Sequence, residues 1–456
     1  MFKIMAMRGF LTPSLGASSL VASSLGVACV AALALPLAPP AHAAPDVSAV
    51  PGSTRSLPLV PLTRDRVLGS APQQGLFRAD IDRFSLVGVA WDDPDAELRG
   101  RVQVRTRSAA TGTWSGWQDV ETHNTDHGAD PGTAERTSRG VRGATAPLWV
   151  NDSDGVDVRV RAEPAATPRG SRAGARPAVL PSGLRLELVD PGDEAPPEGA
   201  PVDAPRTGLH SEAAIAASAT NTDVTGFGAT EIPELSREAT EQELARLHEE
   251  AQAKPYIGAR PKIVTRRGWG ADESLRGGGF VYTKRVKAAF VHHTASGNKY
   301  SCSQAPSVIR GIYRYHVTSM GWRDLGYNFL VDKCGTLYEG RAGGVAKAVL
   351  GAHTLGFNTD SMGVAVIGSY GSTKPAGAAV TALARLTAWK LGLYGADPRG
   401  RTSLTSGGGN LYPKGTSVRL NVVSGHRDGY ATDCPGTSLY AKLGTVRSSA
   451  ARYQGR

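Results

Sequence analysis

The sequence predicts two folded regions: a small all-β, sandwich-like domain, followed by an α/β domain whose mixed β-sheet is packed by helices. Three observations carry this. Between 75 and 190, short segments alternate apolar and polar residues between Gly, Asp and Pro turns, the period of half-buried antiparallel strands. From about 259 onward, buried-strand runs interleave with segments of helical period, which favours helices on a mixed sheet. The 456 residues also exceed what one hydrophobic core usually organises, so two domains and linkers are expected.

The elements follow in order. Lys3 and Arg8 precede the apolar run "SSLVASSLGVACVAALALPLA", which ends at Ala41-His42-Ala43. This reads as a signal peptide over 1–43 with cleavage after Ala43; Ser and Gly interrupt the run, which disfavours a retained anchor. The expectation is a secreted chain, extracellular or cell-wall associated, with no stable membrane insertion after signal removal. Residues 44–74 are rich in Pro, Ser and Arg and read as a disordered lead-in. Six strand candidates follow within 75–190: "LVGVAW", "GRVQVRTR", "WSGWQDV", "PLWVND", "VDVRVRA" and "GLRLELVD". Trp91, Trp114, Trp117 and Trp149 belong to this region and either form a sugar-stacking face or pack the core.

Residues 191–258 return to Pro, Gly, Ala and acidic composition and read as a linker. Within it Thr240 and Glu243 form a capping-box pattern, predicting one short helix with Leu244 and Leu247 on a face. In the region 259–446, "KAAFVHHTA" reads as a buried strand and "APSVIRGIYRYHVTS" as a helix. "YNFLVDK" and "TLYEGR" form a hairpin turning at Cys334-Gly335, "SMGVAVIGSY" is a strand, and "AVTALARLTAWKLGLYG" is a helix closed by Gly395. Residues 447–456 are read as a C-terminal tail.

The net charge of +10 suits any polyanion, whether nucleic acid, an anionic membrane or anionic cell-wall polymers. The Arg residues are scattered and no recognition motif is present, so no nucleic acid partner is expected. Of four cysteines, Cys29 leaves with the signal peptide, and the remaining three permit three pairings. An odd thiol in an oxidising space is reactive or ligated.

Five of the ten histidines fall between 292 and 426. His292 and His293 end a strand and His426 follows the apolar "LNVVSG"; strand ends are where α/β sheets place their sites. A strand alternates faces, so His292 and His293 cannot both enter one site. His292, His426 and Cys434 would supply three ligands to a catalytic zinc with a fourth position open to water; core histidines and a buried structural cysteine are the competing explanation.

Four ordered segments then carry a resemblance: "FVHHTASGN", "GWRDLGYNFLVDKCGTLYEGR", "GAHTLGFNTDSMGVAVIGSY" and "VSGHRDGYATDCPG". Together, over about 261–445, they resemble the zinc-dependent N-acetylmuramoyl-L-alanine amidases of the type-2 family, which include the peptidoglycan recognition proteins. The preceding region resembles, more loosely, the β-rich N-terminal regions of secreted actinobacterial amidases. The resemblance implies Zn2+ held by His292, His426 and Cys434. It implies that Tyr327 faces the metal and stabilises a developing oxyanion. Thr432 stands where some relatives have lysine and the recognition-protein branch has threonine, and is placed with Tyr327 among the catalytic residues. His316, Trp322, Arg341, His353 and Asn358 fall in segments that line the substrate groove. Cys302 and Cys334 then become a disulfide, contributing about 3 to 4 kcal/mol. The implied function is hydrolysis of the amide joining N-acetylmuramic acid to L-alanine of the stem peptide by zinc-activated water, with peptidoglycan as partner. The alternative is a non-catalytic peptidoglycan-binding recognition protein, although such relatives typically lose the cysteine ligand.

Overall fold

The structure is a computed structural model in which residues 52–62, 72–122, 126–163, 179–192, 209, 211–247 and 255–456 are described. The expected signal peptide lies outside the described residues, as does most of the expected lead-in.

Apolar–polar alternation builds the first domain. Its strands are β1 (Ser53–Pro58), β2 (Val60–Pro61), β3 (Gln73–Arg78), β4 (Phe84–Trp91), β5 (Gly100–Ser108), β6 (Gln118–Val120), β7 (Gly143–Ala144), β8 (Leu148–Ala162) and β9 (Arg185–Asp190). The main path runs β1-β9-β4-β8-β3-β2, with β5 on β8, β6 on β5 and β7 on β4. All pairings are antiparallel.

Two sequence expectations change here. "PLWVND" and "VDVRVRA" fuse into the single strand β8, because its first half pairs with β4 while its second half runs between β3 and β5. Within the expected lead-in, residues 52–62 are ordered, since β1 covers the open edge of β9, with Leu57 opposite Leu186. The four tryptophans do not share a face. Trp91 and Trp149 are buried. Trp114 and Trp117 lie outside, with the Arg159 guanidinium 4.2 Å from the Trp117 ring and that of Arg105 near both rings.

The second domain contains α1 (Glu212–Ala219), β10 (Glu231–Ile232), α2 (Arg237–Leu247), β11 (Ile263–Val264), β12 (Ala288–His293), α3 (Ala305–Arg314), β13 (Phe329–Val331), β14 (Leu337–Glu339), β15 (Ser361–Val366), α4 (Gly377–Gly392), β16 (Arg401–Thr405), β17 (Ser417–Asn421), β18 (Val423–Gly425), α5 (Thr437–Tyr440) and α6 (Leu443–Gln454). Its sheet is mixed, in the order β10-β11-β14-β13-β15-β12-β18. Strands β13, β15, β12 and β18 are parallel, while β13 and β14 form the antiparallel hairpin. Alternation along β15 divides the core: Val364 and Val366 face α4 and α6, whereas Ala365 and Ile367 face α3. Among the described residues no helix is long and apolar enough to cross a membrane.

The segment 191–258 is more than a linker with one helix. It contributes α1, the edge strand β10 and α2, so the second fold begins near 211 rather than 259. Helix α2 starts at Arg237, earlier than the capping-box pattern suggests, because Ser236 caps the amide of Ala239 at 3.2 Å. Thr240 and Glu243 therefore lie within the helix and dock it: Thr240 Oγ1 accepts from the Arg260 amide at 2.9 Å, and Glu243 pairs with the buried Arg260 guanidinium. The presumed tail is the second half of α6, whose Ala450, Ala451 and Gln454 are buried; Gln454 Nε2 donates to the Ala388 carbonyl at 3.0 Å.

The two domains share a core. Leu86, Trp149 and Val189 of the first pack with Ile309, Ile312, Tyr315 and Met320 of the second. Tyr315 donates its hydroxyl to the Thr145 carbonyl at 3.0 Å, and a Cβ at position 88 would collide with that phenol, so Gly88 is required by close approach.

Asn221 shows how firmly the presumed linker is held. Its Nδ2 donates to both oxygens of the buried Glu339 at 2.9 and 3.0 Å. Burial outweighs these bonds and the Arg266 charge, pushing Glu339 up to about 7. The carboxyl is thus protonated in the fold at pH 5 and ionised at pH 8. The stability linked to this raised value is full below the ordinary carboxylate range and is lost as pH rises through about 7. Asn221→Ala is expected to cost about 2 kcal/mol at pH 8, where the acceptor is charged, and less at pH 5. Urea unfolding at both pH values tests this, and equal losses contradict it.

Candidate metal centre

Register places the first two site residues. β12 and β18 are parallel neighbours with Val291 opposite Gly425, so His292 and His426 emerge side by side at their C-terminal ends. The Nδ1 atoms of the two rings lie 3.2 Å apart. His293 points the other way, as alternation requires, and its Nδ1 accepts from the Tyr370 amide at 3.2 Å. After β18 the loop through Gly429 curls back and sets Cys434 Sγ 3.7 Å from His292 Nδ1. The first domain supplies a fourth donor: His127 Nε2 is 3.9 Å from the same sulfur.

All four donor atoms lie within 4.8 Å of one another, and all four residues are buried. Ligands at ordinary zinc distances around a tetrahedral ion lie about 3.3 to 3.6 Å apart, so these separations fit a divalent cation with slight contraction. The electrostatics agree. Burial drives the His292 imidazole well below its ordinary value and His426 down to about 3, leaving neutral rings with available lone pairs. Burial pushes the Cys434 thiol far up, a cost that a bound cation would reverse by holding the thiolate. For Asp126, burial acts upward but is overcome by the adjacent His127 and His426 rings and by hydrogen bonds from His127 and Thr432, so the carboxyl stays below the usual range.

Of the remaining predicted residues, Tyr327, His353 and Thr432 lie against members of this cluster. The Tyr327 ring is 5.4 Å from His292, and burial raises its phenol well above the ordinary value. Thr432 Oγ1 accepts from the Cys434 amide at 3.1 Å. The His353 ring lies 5.2 Å from that of His292. His316 sits in a wide turn ending α3, where the Met320 amide reaches back to the Tyr315 carbonyl; its ring lies 4.5 Å from that of Trp322, tilted by 42°. Asn358 Oδ1 accepts from the His353 and Thr354 amides at 2.7 and 3.1 Å. Arg341 is buried in a two-pronged pair with Glu135 at 2.7 and 2.8 Å. Cys302 and Cys334 form a disulfide with Cα atoms 6.2 Å apart, and Cys434 is free and buried.

Sequence reasoning did not find His127, Asp126, Glu135 or Thr354. Thr354 Oγ1 lies 3.3 Å from His292 Nε2, where it orients the ring. His127 stands in an aperiodic stretch, and no spacing links it to residues so much later in the chain.

Fold and site together define a class: an α/β domain in which two histidines at the ends of parallel strands and a cysteine on the following loop form a cluster that could hold a cation. Residues 282–437 match the model of the N-acetylmuramoyl-L-alanine amidase family, and 40–178 match one described as Rv3811 N-terminal galactose-binding domain-like. The chain is 30% identical over 185 residues to peptidoglycan-recognition protein SC2 of Drosophila simulans, a match covering 40% of this chain and 85% of that protein. It is 31% identical over 198 residues to human N-acetylmuramoyl-L-alanine amidase, covering 42% of this chain and 29% of that protein. A solved structure of peptidoglycan recognition protein-LE in complex with tracheal cytotoxin is 28% identical, covering 40% of this chain and 92% of that one, with a TM-score of 0.31. The chain belongs to the type-2 amidase and peptidoglycan recognition protein family.

One divalent cation per chain is expected, with tight binding lost on Cys434→Ser. Thr354→Val, which removes an orienting hydrogen bond, should weaken affinity about 10- to 100-fold. Competition with a chromophoric chelator measures both, and equal affinity in wild type and Cys434→Ser contradicts the ligand assignment.

Proposed function

We propose that the chain is a secreted zinc-dependent N-acetylmuramoyl-L-alanine amidase that hydrolyses the amide between N-acetylmuramic acid and L-alanine of the stem peptide. The observation that supports this best is the convergence of His292, His426 and Cys434 beside Tyr327. Two imidazoles and a thiolate suit zinc. When bound, zinc supplies Lewis acidity toward the amide carbonyl and the attacking water.

The chain's own residues do the rest. Thr354 fixes the His292 ring through Nε2, leaving Nδ1 toward the cluster. Tyr327, held un-ionised by burial, keeps a proton to donate to the oxygen on which charge develops. Thr432 braces the Cys434 amide and the Asp126 carboxylate. His316, Trp322, His353, Asn358 and Arg341 form the walls against which the glycan and stem peptide would lie. The basic surplus of the chain favours approach to peptidoglycan and its anionic polymers.

Prolonged incubation with purified peptidoglycan should release stem peptides with new L-alanine amino termini. This should stop with chelator and return with zinc. Tyr327→Phe should lower turnover by about 10² to 10³, with zinc content and peptidoglycan pull-down matching wild type. Binding without any released peptide would identify a recognition protein instead, and near-normal cleavage by Tyr327→Phe would remove that residue from the chemistry.

A further inference from the structure

The stretch 126–141 lies between β6 and β7 of the first domain, where Arg136 binds Asp95 and the Pro94 carbonyl, yet Asp126, Gly128, Asp130 and Glu135 bond to the second domain. His127 Nδ1 is hydrogen-bonded to Asp126 Oδ1 at 3.0 Å. With that nitrogen carrying the proton, Nε2 presents its lone pair to the cluster, the arrangement by which carboxylates orient metal-binding histidines. A catalytic zinc keeps one position open, whereas a structural one is filled by four protein ligands. Here the fourth donor is present.

The same stretch also occupies the surrounding walls. Asn358 Nδ2 donates to the Gly128 carbonyl at 2.9 Å and to Asp130 Oδ1 at 2.6 Å. The Gly356 amide donates to Asp130 Oδ1 at 2.8 Å, and the Leu355 amide to the Asp126 carbonyl at 3.0 Å. Glu135 takes both arms of Arg341. Carbonyls and carboxylates are thus offered to an asparagine, an arginine and loop amides, as an acidic peptide would offer them. The exposure of His127, His292, His426 and Cys434 is 6%, 0%, 0% and 1%, which leaves no approach for a polymeric substrate.

We propose that His127 is a fourth protein ligand to the metal and that 126–141 fills the substrate groove as an internal peptide, making this conformation a latent form of the enzyme. The proposal rests on the metal-amidase reading above. Release does not require the domains to part. Val141 anchors the end of the segment in the apolar core around Trp149 and Ile312 that holds the domains, while the part before it meets the second domain through hydrogen bonds and the Glu135–Arg341 ion pair, which water can replace.

The test uses the full chain substituted with cobalt(II), titrated with azide and followed by its visible absorption. Wild type should be insensitive to azide. His127→Ala, and separately the double variant Asp130→Ala/Glu135→Ala, should take up azide and cleave peptidoglycan at least tenfold faster than wild type. The double variant retains all four donors, so it decides the matter even if His127→Ala loses cobalt. Azide uptake by wild type equal to that of the variants overturns the proposal, as do variants that stay as closed as wild type. Cobalt bound by none of them overturns the metal reading and the proposal together. The expected azide responses without cleavage leave the covering in place and remove the amidase.

Discussion

The site depends on one register, Val291 opposite Gly425 in the parallel pair β12 and β18. It sets His292 beside His426 through the backbone ladder, and Thr354 then orients the His292 ring. A slip of one residue would exchange His292 for His293 and turn the lone pair toward Tyr370 and the α4 side of the sheet. β12 lies between β15 and the edge strand β18, all parallel, and along the β12–β18 border the backbone polar groups of both strands are spent on the ladder. The side chains at their ends are then the groups left to bind something. Two buried neutral imidazoles and a thiol gathered there carry lone pairs that a cation would satisfy, and such a cation would be coupled to the integrity of the loop carrying Cys434.

Much of this was legible because it is local. The strand ending in His292 and His293, the hairpin at Cys334 and the long helix closed near Gly395 each announce themselves through period and turn chemistry. The His292/His426/Cys434 set was legible through strand ends and through motif. Errors arose where a tertiary partner overrode a local signal. Thr240 looked like a helix cap, but its hydroxyl serves Arg260. Residues 447–456 looked like a tail because the buried apolar residues in that half of α6 are the small Ala450 and Ala451, which carry little periodic signal. Strand β8 read as two because Asp152, Ser153, Asp154 and Gly155 look like a turn, whereas in the fold the chain passes through them from one set of neighbours to another.

His127 marks the limit of such reading. It lies 307 residues before Cys434 and in a stretch without period, so nothing local distinguishes it from a surface histidine. Its position depends on the docking of two domains, and that docking is carried by residues of ordinary core character. Asp126 beside it is similarly silent, although with His127 it forms a carboxylate–imidazole pair of the kind that commonly stands behind a metal.

The shared core has a consequence for how the chain can be divided. Leu86, Trp149 and Val189 do not merely touch the second domain; with Ile309, Ile312, Tyr315 and Met320 they complete one interior. Cutting between the sheets would bare a contiguous oily surface on α3, and the excised fragment would be prone to self-association in water. The domain boundary drawn from sequence is therefore a boundary of topology and not of cooperativity, and the β-sheet of the first domain is as much a wall of the second as any of its own helices.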